Sequence, residues 1–143
     1  MTISFDEKVC VVTGAGNGLG RCHALALAER GAKVVVNDLG GARDGTGASS
    51  EAADTVVDEI IKNGGEAFSH GANVTNYEEV VDMIKQTMKR WGRIDVLINN
   101  AGILRDKSFS KMELSDFKLV LDVHLMGSAV SYTHLTLPTM IRV

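Results

Sequence analysis

Two short segments of this 143-residue chain carry residue types and spacings suited to chemistry. The first is Thr13-Gly14-Ala15-Gly16-Asn17-Gly18-Leu19-Gly20, between an apolar run (Val9-Cys10-Val11-Val12) and a helix-forming stretch. Glycines permit a tight turn there and let the backbone approach a pyrophosphate closely. The N-terminus of the following helix offers unpaired N–H groups and a positive dipole end to that anion. The strict G-x-G-x-x-G spacing fails, because Leu19 holds the third glycine position counted from Gly14. A T-G-x-x-x-G-x-G pattern fits, with Gly14, Gly18 and Gly20. A glycine-rich loop alone is ordinary turn chemistry; a strand before it and a helix after it make it a dinucleotide motif. The second segment is Asn99-Asn100-Ala101-Gly102, at the end of another apolar run.

Asp38 stands just after a further apolar run, Val34-Val35-Val36, where a dinucleotide fold places an acid against the adenosine ribose. A carboxylate there repels the 2′-phosphate of NADP, and residue 17 is Asn rather than a base. Both positions favour NAD, and Arg43 in the next loop pulls the other way. A strand-end acid with no role is the plainer alternative.

These segments need elements to position them. Apolar runs at 9–12, 33–36 and 95–99 and a weaker one at 66–69 read as strands. Residues 19–30 read as a helix ending at Gly31. Ala53, Val56, Val57, Ile60 and Ile61 make one helical face, and Gly64-Gly65 ends it. The Thr75/Glu78 spacing predicts a capping box. The helix after it has an apolar stripe of Tyr77, Val80, Val81, Ile84, Met88 and Trp91. Ser115 is the expected N-cap of a last helix, with Phe117, Val120, Leu121, His124 and Leu125 on one face. Residues 39–49 read as loop. Strands alternating with helices predict an α/β fold: a Rossmann-type parallel sheet, helices on both faces, strand order 3-2-1-4.

Together these features resemble the short-chain dehydrogenase/reductase family over residues 5–128. Asn73-Val74 sits where that family usually has Asp-Val beside the adenine. The resemblance implies that Gly14, Asn17, Gly18, Leu19, Gly20, Asp38, Asn73, Val74, Asn100, Ala101 and Gly102 hold NAD. Segments 36–41, 101–106 and 123–125 are similar to the (3R)-hydroxyacyl-CoA dehydrogenase domains of peroxisomal multifunctional β-oxidation enzymes and their bacterial relatives. That implies hydride transfer between a 3-hydroxyacyl-CoA, or another small alcohol or ketone, and NAD. It also implies a homo-oligomer for the full-length protein. His124 holds the place of the Asn in the family's Asn-Ser-Tyr-Lys tetrad; a core histidine is the even alternative. An NADPH-dependent 3-oxoacyl-carrier-protein reductase and a non-catalytic NAD-binding module are the rival readings.

The tetrad's Tyr-x-x-x-Lys pair has no counterpart in these residues: the last lysine is Lys118, and Thr136 stands four after Tyr132. The fold is therefore expected to stop after the fourth strand and its helix, leaving a fragment without turnover. Residues 1–128 are expected to form the NAD-binding half. Residues 129–143, threonine-rich with a proline, are expected to break the helical pattern, as read-through sequence or as a divergent terminus.

A net charge of -3 with no basic block argues against nucleic acid. No apolar run approaches the roughly 18 residues of a membrane span. The acidic N-terminus argues against a signal peptide. Two cysteines without CxxC spacing read as reduced thiols, so the expected location is cytoplasmic, or peroxisomal for a eukaryotic parent. The four histidines lack metal-ligand spacing.

Overall fold

The computed structural model describes residues 3–42, 44–47 and 49–140, with side chains through Thr133. Arg43, weighed above against Asp38, lies outside the described residues. The order is β1 (Val9–Thr13), α1 (Gly18–Ala28), β2 (Lys33–Asn37), α2 (Glu51–Lys62), β3 (Glu66–His70), α3 (Tyr77–Trp91), β4 (Val96–Ile98), α4 (Leu114–Leu121) and α5 (Gly127–Met140). The strands form one sheet in the order β3-β2-β1-β4, every pair parallel, as the sequence predicts. Registers such as Val11↔Val35 and Val11↔Leu97 leave β1 central and wholly buried, which its unbroken apolar run requires.

Helices cover both faces. One layer packs Val12, Val34 and Val36 against Ala24 and Leu27 of α1 and Val56 and Ile60 of α2. The other packs Val11 and Val35 against Val80, Met83 and Ile84 of α3 and Val130 of α5. Each strand alternates its side chains between these layers, so a one-residue slip would exchange them.

Several local expectations are corrected. The buried face of α3 is Val80, Met83, Ile84 and Thr87, while Tyr77 and Met88 are exposed. The face turns because Thr87 satisfies its hydroxyl on the Met83 carbonyl and so tolerates burial. On α2, Ile61 lies outside the buried face. The N-cap of α3 is Asn76, not Thr75: its carboxamide oxygen accepts from the N–H groups of Glu78 and Glu79. The N-cap position of α4 is Glu113, not Ser115, with no side-chain cap bond.

The helical pattern does not break after Ser128. A π-type turn over Asp122–Met126 joins α4 to α5, which runs to Met140. A helix that extends an existing one needs no new nucleus. Ser131 and Thr133 turn their hydroxyls back to the carbonyls of Gly127 and Ala129, so their polarity is absorbed within the helix. Ser131 is fully buried.

Candidate functional site

In an open parallel sheet, ligands bind beyond the carboxyl ends of the strands, where the chain order reverses. Here that point lies between β1, whose chain continues toward β2 on one side, and β4 on its other side. A cleft of about 630 Å³ opens there, within the range of small-molecule sites. Its walls include Gly14, Asn17, Gly18, Asp38, Asn73, Val74, Asn100, Ala101 and Gly102. Nine of the sequence-predicted residues are thus brought to one place. Leu19, Gly20 and His124 are not among the lining residues: Leu19 is exposed, and Gly20 is buried beneath the loop.

The glycines have separate functions. A Cβ on Gly20 would stand 2.1 Å from the Gly14 carbonyl oxygen, so its bareness lets α1 pack under the turn. A Cβ on Gly14 would stand 2.8 Å from Ala101 Cα, so the loop closes against the β4 end. Gly18 has φ +55° and open space beside it, which leaves the loop's outer surface clear for a ligand.

Asp38 is fixed from two sides. One carboxylate oxygen accepts from Gly16 N–H and the other from Gly40 N–H, each at 2.7 Å. This sets the carboxylate in the cleft wall opposite the β4 end.

Thr13 and Asn100 clamp that other wall. The Thr13 hydroxyl accepts from the N–H groups of Asn100 and Ala101 at 3.1 and 3.0 Å. The Asn100 amide donates to the carbonyls of Thr13 and Gly14 at 3.0 and 2.9 Å. Asn100 therefore lines the cleft while its amide holds the glycine loop.

His124 lies in the π-type turn, a distortion frequent at functional sites. The helical face expected to join it with Phe117, Val120 and Leu121 is not buried. Neither α4 nor the turn has a buried residue, and Phe117 and Leu121 are 42% and 40% exposed. The His124 ring instead rests on Gly102, whose added Cβ would meet Cε1 at 2.7 Å. Its Nε2 lies 3.1 Å from the Ile103 nitrogen and 3.0 Å from the Ile103 carbonyl oxygen. Bare, Nε2 accepts from the N–H; protonated, it donates to the carbonyl.

The sequence reading missed several wall residues. Buried Asn37 donates to the carbonyls of His70 and Ala72; its signal was an amide ending an all-valine run. Leu39, Gly41, Ala42 and Gly45 form the remaining loop wall, with Gly45 reaching Ile103 across the cleft. Leu119 and Val123 close the α4 side; Leu119 has no signal beyond helical spacing, and Val123 lies in the 123–125 segment of the resemblance.

A parallel sheet in this order, a glycine loop closing on an Asn-Asn-Ala-Gly strand end and a strand-end acid facing it define the class. The sequence matches the short chain dehydrogenase family over residues 8–143, and the chain belongs to that family. Its similarity to peroxisomal multifunctional enzyme type 2 of Drosophila melanogaster is 57% identity over 129 residues, covering 88% of this chain and 21% of that protein. A 3-oxoacyl-[acyl-carrier-protein] reductase of Synechocystis is 51% identical over 124 residues, covering 87% of this chain and 47% of that one. Among solved structures, a 7α-hydroxysteroid dehydrogenase complexed with NADH matches with TM-score 0.82 at 31% identity, covering 92% of this chain and 48% of that one. The chain thus spans less than half the length of each.

Proposed function

We propose that residues 1–128 are the NAD-binding half of an oxidoreductase that moves hydride between a secondary alcohol, a 3-hydroxyacyl-CoA, and NAD. The observation that carries this reading is the Asp38 carboxylate, fixed in the cleft wall by Gly16 and Gly40. There it meets a ribose diol as acceptor and opposes a 2′-phosphate. Two unit charges about 4 Å apart repel by about 4 kcal/mol at an effective dielectric of 20. A quarter of that, left after solvent screening, still separates the cofactors about fivefold. The open face of Gly18 and the α1 N-terminus would hold the pyrophosphate. The bound nicotinamide supplies the hydride acceptor; the chain's own residues bind and orient it. Asn73 and Val74 would hold the adenine, and Ala101 and Gly102 the nicotinamide side.

The substrate class rests on similarity to the peroxisomal multifunctional enzymes, which also supports a peroxisomal site for a eukaryotic parent. The second reading, an NADPH-dependent 3-oxoacyl-carrier-protein reductase, has the Synechocystis relative in its favour and Asp38 against it. His124 serves as a supporting group beside the nicotinamide, through Ile103. It does not replace the missing Tyr-x-x-x-Lys acid/base, whose absence typically costs about 10²- to 10⁴-fold. The chain alone is therefore expected to bind cofactor without turning over substrate.

The test is NADH and NADPH affinity, by nucleotide fluorescence, for the chain and for Asp38→Ala. Preference for NADH that falls severalfold in Asp38→Ala is expected. An unchanged preference sinks the assignment.

A further inference from the structure

Residues 72–75 form one wall of the cleft, yet they belong to no strand or helix. Their backbone is held instead by side chains. Ala72 N–H donates to His70 Nδ1 at 3.1 Å. Asn73 N–H donates to Glu79 Oε2 at 2.8 Å, and Thr75 N–H to Asn73 Oδ1 at 3.0 Å. From the sheet side, Asn37 donates to the carbonyls of His70 and Ala72, each at 2.9 Å. Ala72 and Val74 are buried, so these backbone groups have little water to turn to.

His70 is the one histidine in this clasp, and its tautomer is dictated by its neighbours. A backbone N–H can only donate, so Nδ1 must be bare. In the neutral ring the proton then sits on Nε2, which lies 3.2 Å from Asp82 Oδ2 on α3. Gln86 donates to the same Asp82 oxygen at 2.7 Å and fixes it. The chain Gln86–Asp82–His70–Ala72 therefore runs from the outer side of α3 to the cleft wall. The His70 side chain is 13% exposed, so the ring is held rather than loose.

We infer that His70 is a positioning residue for the adenosine end of the cofactor: its bare Nδ1, set by Asp82, fixes the Ala72–Val74 wall. The inference rests on the dinucleotide reading above. His70 lines no part of the cleft itself and acts only through the Ala72 amide.

The geometry supplies its own control. Nδ1 of histidine and Oδ1 of asparagine are both bonded to Cγ. Asparagine in this position makes the same acceptor bond to the N–H two residues on, the ordinary Asx turn. His70→Asn should therefore keep the clasp while losing the reach to Asp82, and His70→Leu loses both. One net hydrogen bond is worth about 1 kcal/mol, or about fivefold in affinity. The experiment measures ADP-ribose and nicotinamide mononucleotide as competitors of NADH, on the 143-residue chain and both variants. His70→Leu should weaken ADP-ribose about fivefold and leave nicotinamide mononucleotide unchanged. His70→Asn should bind ADP-ribose like wild type, an outcome that general loosening of the fold would not give. Should His70→Leu fail to fold, the wild-type chain labelled with ¹⁵N gives a second reading: a through-bond coupling between the Ala72 nitrogen and His70 Nδ1 is expected. ADP-ribose binding untouched by His70→Leu, His70→Asn as weak as His70→Leu, or no coupling would overturn the inference. Wild-type chain that binds neither NADH nor ADP-ribose would refute the dinucleotide reading, and the inference with it.

Discussion

Thr13→Val is the sharpest test of how the cleft is built. The two side chains are nearly the same shape, but valine has no oxygen. Thr13 is 1% exposed. Its hydroxyl accepts from Asn100 N–H and Ala101 N–H and makes a longer contact to the Ile98 carbonyl at 3.4 Å. Valine leaves both N–H groups without that acceptor. A buried donor left unsatisfied costs about 1–3 kcal/mol. The cleft lies beside Asn100 and Ala101, so water can partly replace the hydroxyl, and the lower half of the range applies. Two donors then cost about 2–4 kcal/mol. The gain from burying a methyl in place of a hydroxyl offsets less than about 1 kcal/mol. A net loss of about 2 kcal/mol is a large share of an ordinary domain stability of about 5–15 kcal/mol.

The assay is urea unfolding followed by Trp91, the chain's single tryptophan. Its ring packs at a tilt against Phe68, centroids 5.3 Å apart, and its indole N–H donates to Glu66 at the far end of β3. It therefore reports global unfolding rather than the altered site. At an m-value of about 2 kcal/mol/M the midpoint should fall by about 1 M with the slope unchanged. Thr13→Ser keeps the hydroxyl and should recover most of the loss. A Thr13→Val midpoint within about 0.2 M of wild type, about 0.4 kcal/mol at that slope, would refute the reasoning.

Other outcomes follow from the same geometry. Gly18→Ala should fold with a penalty of about 1 kcal/mol for its left-handed backbone but lose NADH affinity; Gly20→Ala, whose Cβ would meet a carbonyl oxygen at 2.1 Å, should lose the fold itself, by circular dichroism. The hydrogen bond from Arg93 holds the Asp95 carboxyl below its ordinary range, and a further bond from Val9 N–H adds to this against partial burial. Its contribution to stability is thus complete above the unfolded aspartate value of about 4 and lost as pH falls through the lower folded value. Asp95→Asn should be less stable than wild type at pH 7 and should lose less than wild type between pH 5 and pH 3, by thermal melts. Burial, with the Asp95 charge adding, pushes the Cys10 thiol up to about 11, whereas Cys22 is exposed. A disulfide reagent at pH 8 should label one thiol quickly and the second only in denaturant; two fast thiols would contradict the buried placement of Cys10.

The parts of the fold legible in the sequence are those set by local patterning. β1 and β2 are buried on both faces and so appear as unbroken apolar runs. The glycine loop, Asp38 and residues 99–102 each follow directly on a strand, so strand order alone brings them together. What the sequence hid depends on partners far along the chain. Thr75-x-x-Glu78 and Asn76-x-x-Glu79 are overlapping capping patterns, and local spacing does not choose between them. The choice falls to Asn76 as Glu79 binds both the Asn76 amide and Asn73 N–H. A 3.6-residue period carried from Phe117 puts His124 on the same face. The wider turn over Asp122–Met126 breaks that phase, and the helix face it extends is exposed.

The cleft and the clamps around it have one cause. Parallel strands share backbone hydrogen bonds only along their paired length. Beyond Thr13, Asn37 and Ile98 the chains diverge, which opens the crevice and leaves backbone donors and acceptors unpaired. Polar side chains take up those groups: Asp38 on Gly16 and Gly40, Asn37 on His70 and Ala72, Thr13 and Asn100 across the gap between β1 and β4. Residues that read from sequence as ligand contacts are thus also the structural fasteners of the walls. Replacing Asp38 or Asn100 perturbs both functions at once. A drop in cofactor affinity assigns a direct contact only when the same variant's unfolding midpoint has not moved with it. Gly18, with open space on its outer side, is the position where the two effects separate most cleanly.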